Sequence, residues 1–218
     1  MTSTSAQLVR IPVDEVQIEG MLELPAEPVG LVLFAHGSGS SRHSPRNNYV
    51  ARVLREQGIG TLLLDLLTLA EDLDYQTRFD IALLTHRLLV ATRWSRLNAS
   101  TAPLPLGYFG ASTGAAAALQ AAAALGGDIH ALVSRGGRPD LAGSHALAQV
   151  RSPTLLLVGG RDGEVLELNR AAHARLNCNK ELSIVPGATH LFDEPGTLEQ
   201  VAKQAATWFG QYLRAGLI

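Results

Sequence analysis

One serine of this chain lies in the setting that a nucleophile requires. The segment Gly110-Ala111-Ser112-Thr113-Gly114 matches the pattern G-x-S-x-G, and it stands between an apolar run and an alanine-rich helical pattern. Glycines at both ends of such a segment permit a sharp turn that exposes the serine hydroxyl at its apex. The helix that follows directs its positive end toward that hydroxyl. The pattern predicts that Ser112 is a nucleophile for acyl transfer.

A glycine-rich segment earlier in the chain could stabilise the negative oxygen that such an attack creates. His36-Gly37-Ser38-Gly39-Ser40 follows another apolar run, as loops that supply oxyanion-hole amides do. We expect the backbone N–H groups of Ser38 and Thr113 to form the oxyanion hole, and His36 to shape the loop through hydrogen bonds. The alternative is an ordinary turn rich in glycine and serine.

A serine nucleophile needs a base, and one of the seven histidines has a suitable position. His190 ends the segment Pro186-Gly187-Ala188-Thr189-His190, which follows the last apolar run and precedes the last helical pattern, so its ring can reach Ser112. The sequence therefore predicts His190 as the base. The other histidines lie within helical patterns, at the start of a strand or in loops; they are His36, His43, His86, His130, His145 and His173.

The acid that orients the base is expected after the penultimate apolar run. Gly159-Gly160-Arg161-Asp162 occupies that place, and Asp162 could accept the far ring N–H of His190 and stabilise the imidazolium. The alternative is that Asp162 only caps the helix that follows. Of two other acids, Asp193 is predicted to begin the last helix, and Asp65, within an apolar strand, is expected to be a paired structural carboxylate.

Two arginines could recognise a charged substrate. Arg135 and Arg138 follow the strand next along the chain from the nucleophile strand, and guanidinium groups bind carboxylates in bidentate pairs. Together with Arg42 and Arg46 on the oxyanion segment, they would favour an anionic acyl group. The alternative is that they brace loops by binding backbone carbonyls or acids such as Asp140.

The elements that must position these residues form an alternating pattern of strands and helices. Nearly continuous apolar runs of strand length indicate strands that are buried on both faces of a parallel sheet, and helical patterns separate them. A more alternating pair at 8–13 and 16–24 predicts an antiparallel hairpin at one edge. We predict one α/β domain, residues 1–218, with about eight strands and no cap domain. The other predicted strands are 29–35, 61–67, 104–109, 129–134, 154–158 and 181–185, and the predicted helices are 47–57, 78–97, 113–125, 140–150, 164–176 and 197–213.

Composition restricts the classes of partner. Of 218 residues, 46% are hydrophobic and 17% are charged, and the net charge of −2 argues against a nucleic-acid binder. Apolar stretches end before the roughly 20 residues of a membrane span, and residues 1–10 lack the features of a secretion signal. A single cysteine, Cys178, suits a reducing cytosol. We therefore expect a cytoplasmic protein; zinc-ligand spacing and a phosphate-binding glycine pattern are absent, so no metal or cofactor is expected.

The order Ser112, Asp162, His190, each after its own strand, resembles that of the α/β-hydrolase superfamily. The segments H-G-S-G-S, G-A-S-T-G, G-G-R-D and G-A-T-H-L-F make the chain most similar to the dienelactone hydrolase group. The enzymes that name this group carry a cysteine nucleophile, whereas this chain has Ser112, and Cys178 lies before the last strand. The resemblance therefore implies a serine carboxylesterase acting on a small ester or lactone. The alternatives are a noncatalytic binding protein on the same fold and an acyltransferase that uses the same residues.

Overall fold

The computed structural model describes residues 5–215, and the apolar runs form an eight-stranded sheet. The strands are β1 (Ser5–Val13), β2 (Val16–Leu24), β3 (Leu31–Ala35), β4 (Gly60–Leu64), β5 (Leu106–Ala111), β6 (Ile129–Arg135), β7 (Thr154–Gly159) and β8 (Lys180–Val185). Their order in the sheet is β1-β2-β4-β3-β5-β6-β7-β8. The pairs β1-β2 and β2-β4 are antiparallel, and the remaining pairs are parallel. This sheet confirms the predicted α/β class and the antiparallel edge hairpin.

Six α-helices in the described part of the chain cover the two faces of the sheet. They are α1 (Pro45–Glu56), α2 (Ile81–Leu97), α3 (Thr113–Leu125), α4 (Ser144–Gln149), α5 (Gly163–Arg175) and α6 (Thr197–Ala215). Alternate residues of a strand point to opposite faces, so Leu31 and Leu33 of β3 pack in one apolar cluster while Val32 and Phe34 pack in the other. The first cluster includes residues of α2, α3, α4 and α5, and the second includes residues of α1 and α6.

The alanine-rich helix α3 packs closely against the sheet. Ala116, Ala117 and Ala118 have no exposed surface, and a Cβ atom built on Gly110 of β5 would lie 2.4 Å from Ala115 Cα. Small side chains on both elements are therefore what permits this distance. In the described range, no helix is both long and apolar enough to cross a membrane.

Several predicted boundaries differ from the structure, and the following three are the most informative. The helix expected at 140–150 is a 3-10 turn, Pro139–Ala142, followed by α4, because Gly143 between them has a φ of 82°. The strand expected at 61–67 ends at Leu64, so that Asp65 follows the strand. Helix α2 begins after Asp80, whose side chain accepts a hydrogen bond from the Leu83 N–H at 2.9 Å.

Candidate active site

The segment around Ser112 forms a strained turn between β5 and α3. Ser112 has a φ of 49°, which is uncommon for a residue with a side chain. Its N–H donates to the carbonyl oxygen of Arg135 at 3.3 Å, and its own carbonyl accepts from the Arg138 N–H at 3.0 Å. A Cβ atom on Gly114 would lie 2.2 Å from the Ala35 carbonyl oxygen, so only glycine fits there. The two glycines of the motif thus let α3 begin directly at the turn.

The loop after β3, residues 36–44, lies against this turn. A Cβ atom on Gly37 would be 2.9 Å from Ser112 Cβ, which places the start of the loop beside the predicted nucleophile. Ser38, the predicted oxyanion-hole residue, follows Gly37 and is partly buried. Thr113, its predicted partner, is the first residue of α3, and the first N–H groups of a helix have no acceptor within the helix. We call residues 36–44 the oxyanion loop, after the role that the sequence predicts for Ser38.

His36 ties the beginning of the oxyanion loop to the chain after β4. Its Nε2 accepts a hydrogen bond from the Leu66 N–H at 3.0 Å, and its Nδ1 lies 2.9 Å from the Gly37 carbonyl oxygen. This network assigns the proton to Nδ1. Burial lowers the pKa of His36 below its ordinary value, which favours the neutral ring. His36 therefore shapes the loop, as the sequence predicted.

The far end of the oxyanion loop is held by ion pairs. The Arg42 N–H donates to Asp65 Oδ1 at 2.6 Å, and the Arg42 guanidinium binds the same carboxylate. The guanidinium also lies 2.7 Å from Glu19 Oε2 on β2. Asp65 is thus a paired structural carboxylate, as expected, although it lies just beyond its strand.

His190 and Asp162 meet at the ends of β8 and β7. His190 Nδ1 lies 2.7 Å from Asp162 Oδ2, and the His190 side chain is 39% exposed, so a substrate can reach the ring. Asp162 is the residue before α5, yet its side chain makes no capping hydrogen bond. Asp193, the nearest competitor in sequence, is paired with Arg46 at 3.2 Å.

Two loop contacts hold this pair in place. A Cβ atom on Gly159 would lie 2.4 Å from the Ala188 carbonyl oxygen, and the Arg161 N–H donates to the same oxygen at 2.9 Å. The Glu194 carboxylate accepts hydrogen bonds from the N–H and the hydroxyl of Thr189, at 3.0 and 2.7 Å. These bonds lower the pKa of Glu194. The sequence does not predict this role of Glu194, because nothing except its position near His190 in the chain distinguishes it.

The turn after β6 connects the two halves of the site. Gly136 follows Arg135, whose carbonyl accepts the Ser112 N–H. A Cβ atom on Gly136 would be 3.5 Å from His190 Nδ1, and this glycine has a φ of 50°. The histidine therefore packs on the turn that also fixes the backbone of Ser112. No local sequence pattern around Gly136 predicts this contact.

The structure places Arg135 and Arg138 in defined contacts. Arg138 donates two hydrogen bonds to the Asp140 carboxylate, at 2.9 and 2.7 Å, as in the alternative that the sequence left open. Arg135 is 8% exposed, and its Nη2 donates to Asn47 Oδ1 at 3.2 Å. Burial, reinforced by the nearby charge of Arg46, lowers the pKa of Arg135 to about 10. Substrate recognition by Arg135 and Arg138 stays a prediction.

Cys178 lies at the opposite edge of the sheet, just before β8 begins. Its sulfur is 3.7 Å from the Thr154 hydroxyl at the start of β7, and burial raises the pKa of its thiol. A thiol with a raised pKa is a poor nucleophile at neutral pH. Within the described part of the chain, no three His, Cys, Asp or Glu side chains cluster as a metal site requires.

Comparison with curated proteins finds relatives that are longer than this chain. No protein-family model matches the chain. Two Mycobacterium tuberculosis proteins, from strains CDC 1551 / Oshkosh and ATCC 25618 / H37Rv, are each named putative phosphoribosyl transferase and are 57% identical to it over 205 residues. The match covers 94% of this chain and 46% of each relative. The chain therefore spans about half the length of these relatives.

Comparison with solved structures identifies the fold and a relative of full length. Est1E from Butyrivibrio proteoclasticus, 17% identical, covers 94% of this chain and 98% of its own with a TM-score of 0.82, which shows the fold alone. A dienelactone hydrolase from Anabaena variabilis is 52% identical, covers 97% of this chain and 99% of its own, and has a TM-score of 0.93. The similarity to the dienelactone hydrolase supports an enzyme of the hydrolase kind. Since more than half of the residues are identical over nearly the whole of both chains, the chain belongs to the dienelactone hydrolase group of the α/β-hydrolase superfamily.

Proposed function

We propose that this chain is a serine hydrolase that cleaves a carboxylic ester or lactone of a small molecule. The observation that carries the proposal is the contact of His190 with Asp162 at 2.7 Å, beyond the same ends of the parallel strands at which Ser112 forms its strained turn. Membership in the dienelactone hydrolase group supports the same class of reaction. The three residues have the types and the chain order of a Ser, Asp and His triad.

In the first half of the proposed reaction, Ser112 becomes acylated. Its Oγ attacks the carbonyl carbon of the ester while its proton passes to His190 Nε2. Negative charge moves to the carbonyl oxygen, to which the backbone N–H groups of Ser38 and Thr113 would donate hydrogen bonds. The bond to the alcohol oxygen then breaks, and His190 gives its proton to that oxygen. Asp162 accepts the hydrogen bond of Nδ1, which leaves Nε2 available as the base.

In the second half, water removes the acyl group. Water gives a proton to His190 and attacks the acyl carbon, the bond to Ser112 Oγ breaks, and the proton returns to that oxygen. The products are a carboxylic acid and an alcohol, or a single hydroxy acid when the substrate is a lactone. An acyltransferase would use another acceptor at this step, so product analysis in the presence of added alcohols separates the two activities.

The phosphoribosyl transferase named for the mycobacterial relatives is a different activity. The region shared with them covers 46% of their length and consists almost entirely of the hydrolase-like chain described above. We therefore base the proposed activity on the candidate triad of this chain and not on those names.

The test is covalent labelling with a fluorophosphonate together with a panel of esters and lactones. We expect the adduct on Ser112, and we expect Ser112→Ala to abolish labelling and to lower turnover on the order of 10⁶-fold. Iodoacetamide modification of Cys178 is the control and should leave both intact. Activity within tenfold of the starting protein after Ser112→Ala, or activity lost in proportion to Cys178 modification without unfolding, would contradict the proposal. Labelling without turnover of any ester would favour a binding protein.

A further inference from the structure

A cavity of about 630 Å³ lies at the catalytic edge of the sheet, next to the oxyanion loop. Its walls come from the β1-β2 hairpin, from the oxyanion loop and from the chain that follows β4. Its volume is typical of small-molecule sites, which measure roughly 300–1,000 Å³. Ile18, Ser40, Arg42, Leu67, Leu69 and Ala70 are among its lining residues. We call it the side cavity.

The oxyanion loop forms a common wall between the side cavity and the candidate nucleophile. His36 lines the cavity, and the next residue, Gly37, packs against Ser112. A single segment of chain therefore separates the two. A substituent of a substrate bound at Ser112 would have to pass over this loop to enter the side cavity.

The Arg, Asp and Glu side chains that line the side cavity already have ion-pair partners, within the lining or beside it. Arg42 pairs with Asp65 and with Glu19, the latter at 2.7 Å. Arg10 lies 3.4 Å from Glu19, and Asp72 lies 3.1 Å from Arg78, which is outside the lining. A charged ligand group would have to compete with one of these pairs for its counter-ion. The electrostatics therefore favour an uncharged ligand.

An apolar side chain is held at the open side of this cavity. Leu69 is 92% exposed, and its neighbours are anchored, because Glu71 accepts hydrogen bonds from the Thr68 N–H at 2.8 Å and from Arg87 at 2.7 Å. Arg87 is itself buried. A ligand that covers this leucine removes apolar surface from water, which stabilises the complex.

We propose that the side cavity binds an uncharged alkyl or aryl substituent of the ester, with Leu69 and Ala70 as specificity-determining residues. This proposal rests on the proposed hydrolase function. The substituent could belong to the acyl group or to the alcohol, since both extend from the scissile carbonyl. Two substrate series distinguish these sources. One compares p-nitrophenyl hexanoate with p-nitrophenyl acetate, and the other compares hexyl acetate with ethyl acetate.

The experiment uses two matched pairs of variants. Ala70→Trp places a bulky ring at the lining of the side cavity, and Ala99→Trp makes the same change at an exposed position after α2, at the opposite edge of the sheet. Leu69→Ser and Leu97→Ser replace two leucines that are 92% and 86% exposed. The measured quantity is the kcat/KM of the longer ester of a series divided by that of the shorter one. We expect this ratio to fall about fivefold or more in one series for Ala70→Trp and Leu69→Ser. It should stay unchanged for Ala99→Trp and Leu97→Ser.

Each other outcome has a defined meaning. Suppose that esters are hydrolysed but that, in both substrate series, each side-cavity variant gives the same long-to-short ratio of kcat/KM as its matched control. The side cavity then does not bind the substrate. If p-nitrophenyl monosuccinate is preferred to the neutral esters and Arg10→Ala, a change in the lining of the side cavity, removes that preference, the side cavity binds an anionic group and the proposal is wrong. If no ester is hydrolysed, the proposed function fails, and calorimetric binding of hexyl acetate decides on the cavity alone. If hexyl acetate then binds the unsubstituted protein and Ala70→Trp with equal affinity, or does not bind at all, the cavity proposal is wrong.

Discussion

At the scale of single residues, the candidate site depends on conformations that the neighbours impose. A positive φ at a serine costs on the order of 1–3 kcal/mol, and Ser112 adopts one because Arg135 and Arg138 bond its N–H and its carbonyl. Asp162 stands where a helix cap would stand, but its carboxylate is engaged by His190 instead. In both places a local preference gives way to a contact that is distant in sequence.

His36 should make stability depend on pH. The folded protein lowers the pKa of His36 by burial, so the unfolded chain binds a proton more readily than the folded one. The contribution of the neutral ring is present above the ordinary pKa of about 6.5 and is lost as the pH falls below it, by up to about 1.4 kcal/mol per pH unit. Denaturant unfolding at pH 7.5 and 5.5 should show a smaller difference for His36→Gln than for the unsubstituted protein. His145→Gln, at an exposed position, is the matched control, and equal pH dependence in both variants would contradict this assignment.

At the scale of elements, the chain after β4 supports the oxyanion loop at two points. Leu66 donates to His36 at the start of the loop, and Asp65 binds Arg42 near its end. Both contacts lie where β4 stops pairing with its neighbours. The placement of the oxyanion loop beside Ser112 therefore depends on the residues that follow β4. None of the candidate triad residues lies on or directly after this strand.

Asp65 is predicted to be a positioning residue for the oxyanion hole. Asp65→Asn keeps the shape of the side chain but weakens both bonds to Arg42, so the loop should stabilise the transition state less well. We expect kcat to fall about 10- to 100-fold while KM changes little, and Asp65→Glu to recover part of the loss. Glu56→Gln removes an exposed ion pair and should leave kcat unchanged. A rise in KM at constant kcat, or a loss explained by unfolding in thermal melts, would show that Asp65 has no positioning role.

At the scale of the whole molecule, close backbone approach joins the turn at Ser112 to the sheet. Helix α3 begins beside the end of β3, and Gly114 lies at the contact. The same helix packs its alanines on the sheet. Both the stability of the molecule and the geometry of the turn therefore depend on residue 114 being a glycine, which has no Cβ atom.

Gly114→Ala should test this dependence. A Cβ atom would lie 2.2 Å from the Ala35 carbonyl oxygen and 2.4 Å from that of His36, so the helix or the loop must shift, and the free energy of unfolding should fall by roughly 1–3 kcal/mol or more. Gly127→Ala is the control, because a Cβ atom there meets nothing within 4 Å. Equal unfolding free energies for the two variants in urea would contradict the role given to Gly114.

The sequence alone predicts the order of the strands and helices and places the candidate catalytic residues. Apolar runs show where strands are buried on both faces, and G-x-S-x-G, G-G-R-D and G-A-T-H each follow one of those runs. Since parallel strands end at one edge, these segments were expected to meet there. Periodicity could not show that Gly143 interrupts a helix, because a glycine within a helical pattern is compatible with either outcome.

The partners that these residues contact depend on the tertiary structure. Glu19, Asn47 and Gly136 lie far in sequence from the residues that they contact, and no local pattern marks them. The side cavity likewise exists only where the β1-β2 hairpin, the oxyanion loop and the chain after β4 come together. Strand and helix formation follow from short-range periodicity, whereas ion pairs and cavities depend on distances between segments that the order of residues does not specify.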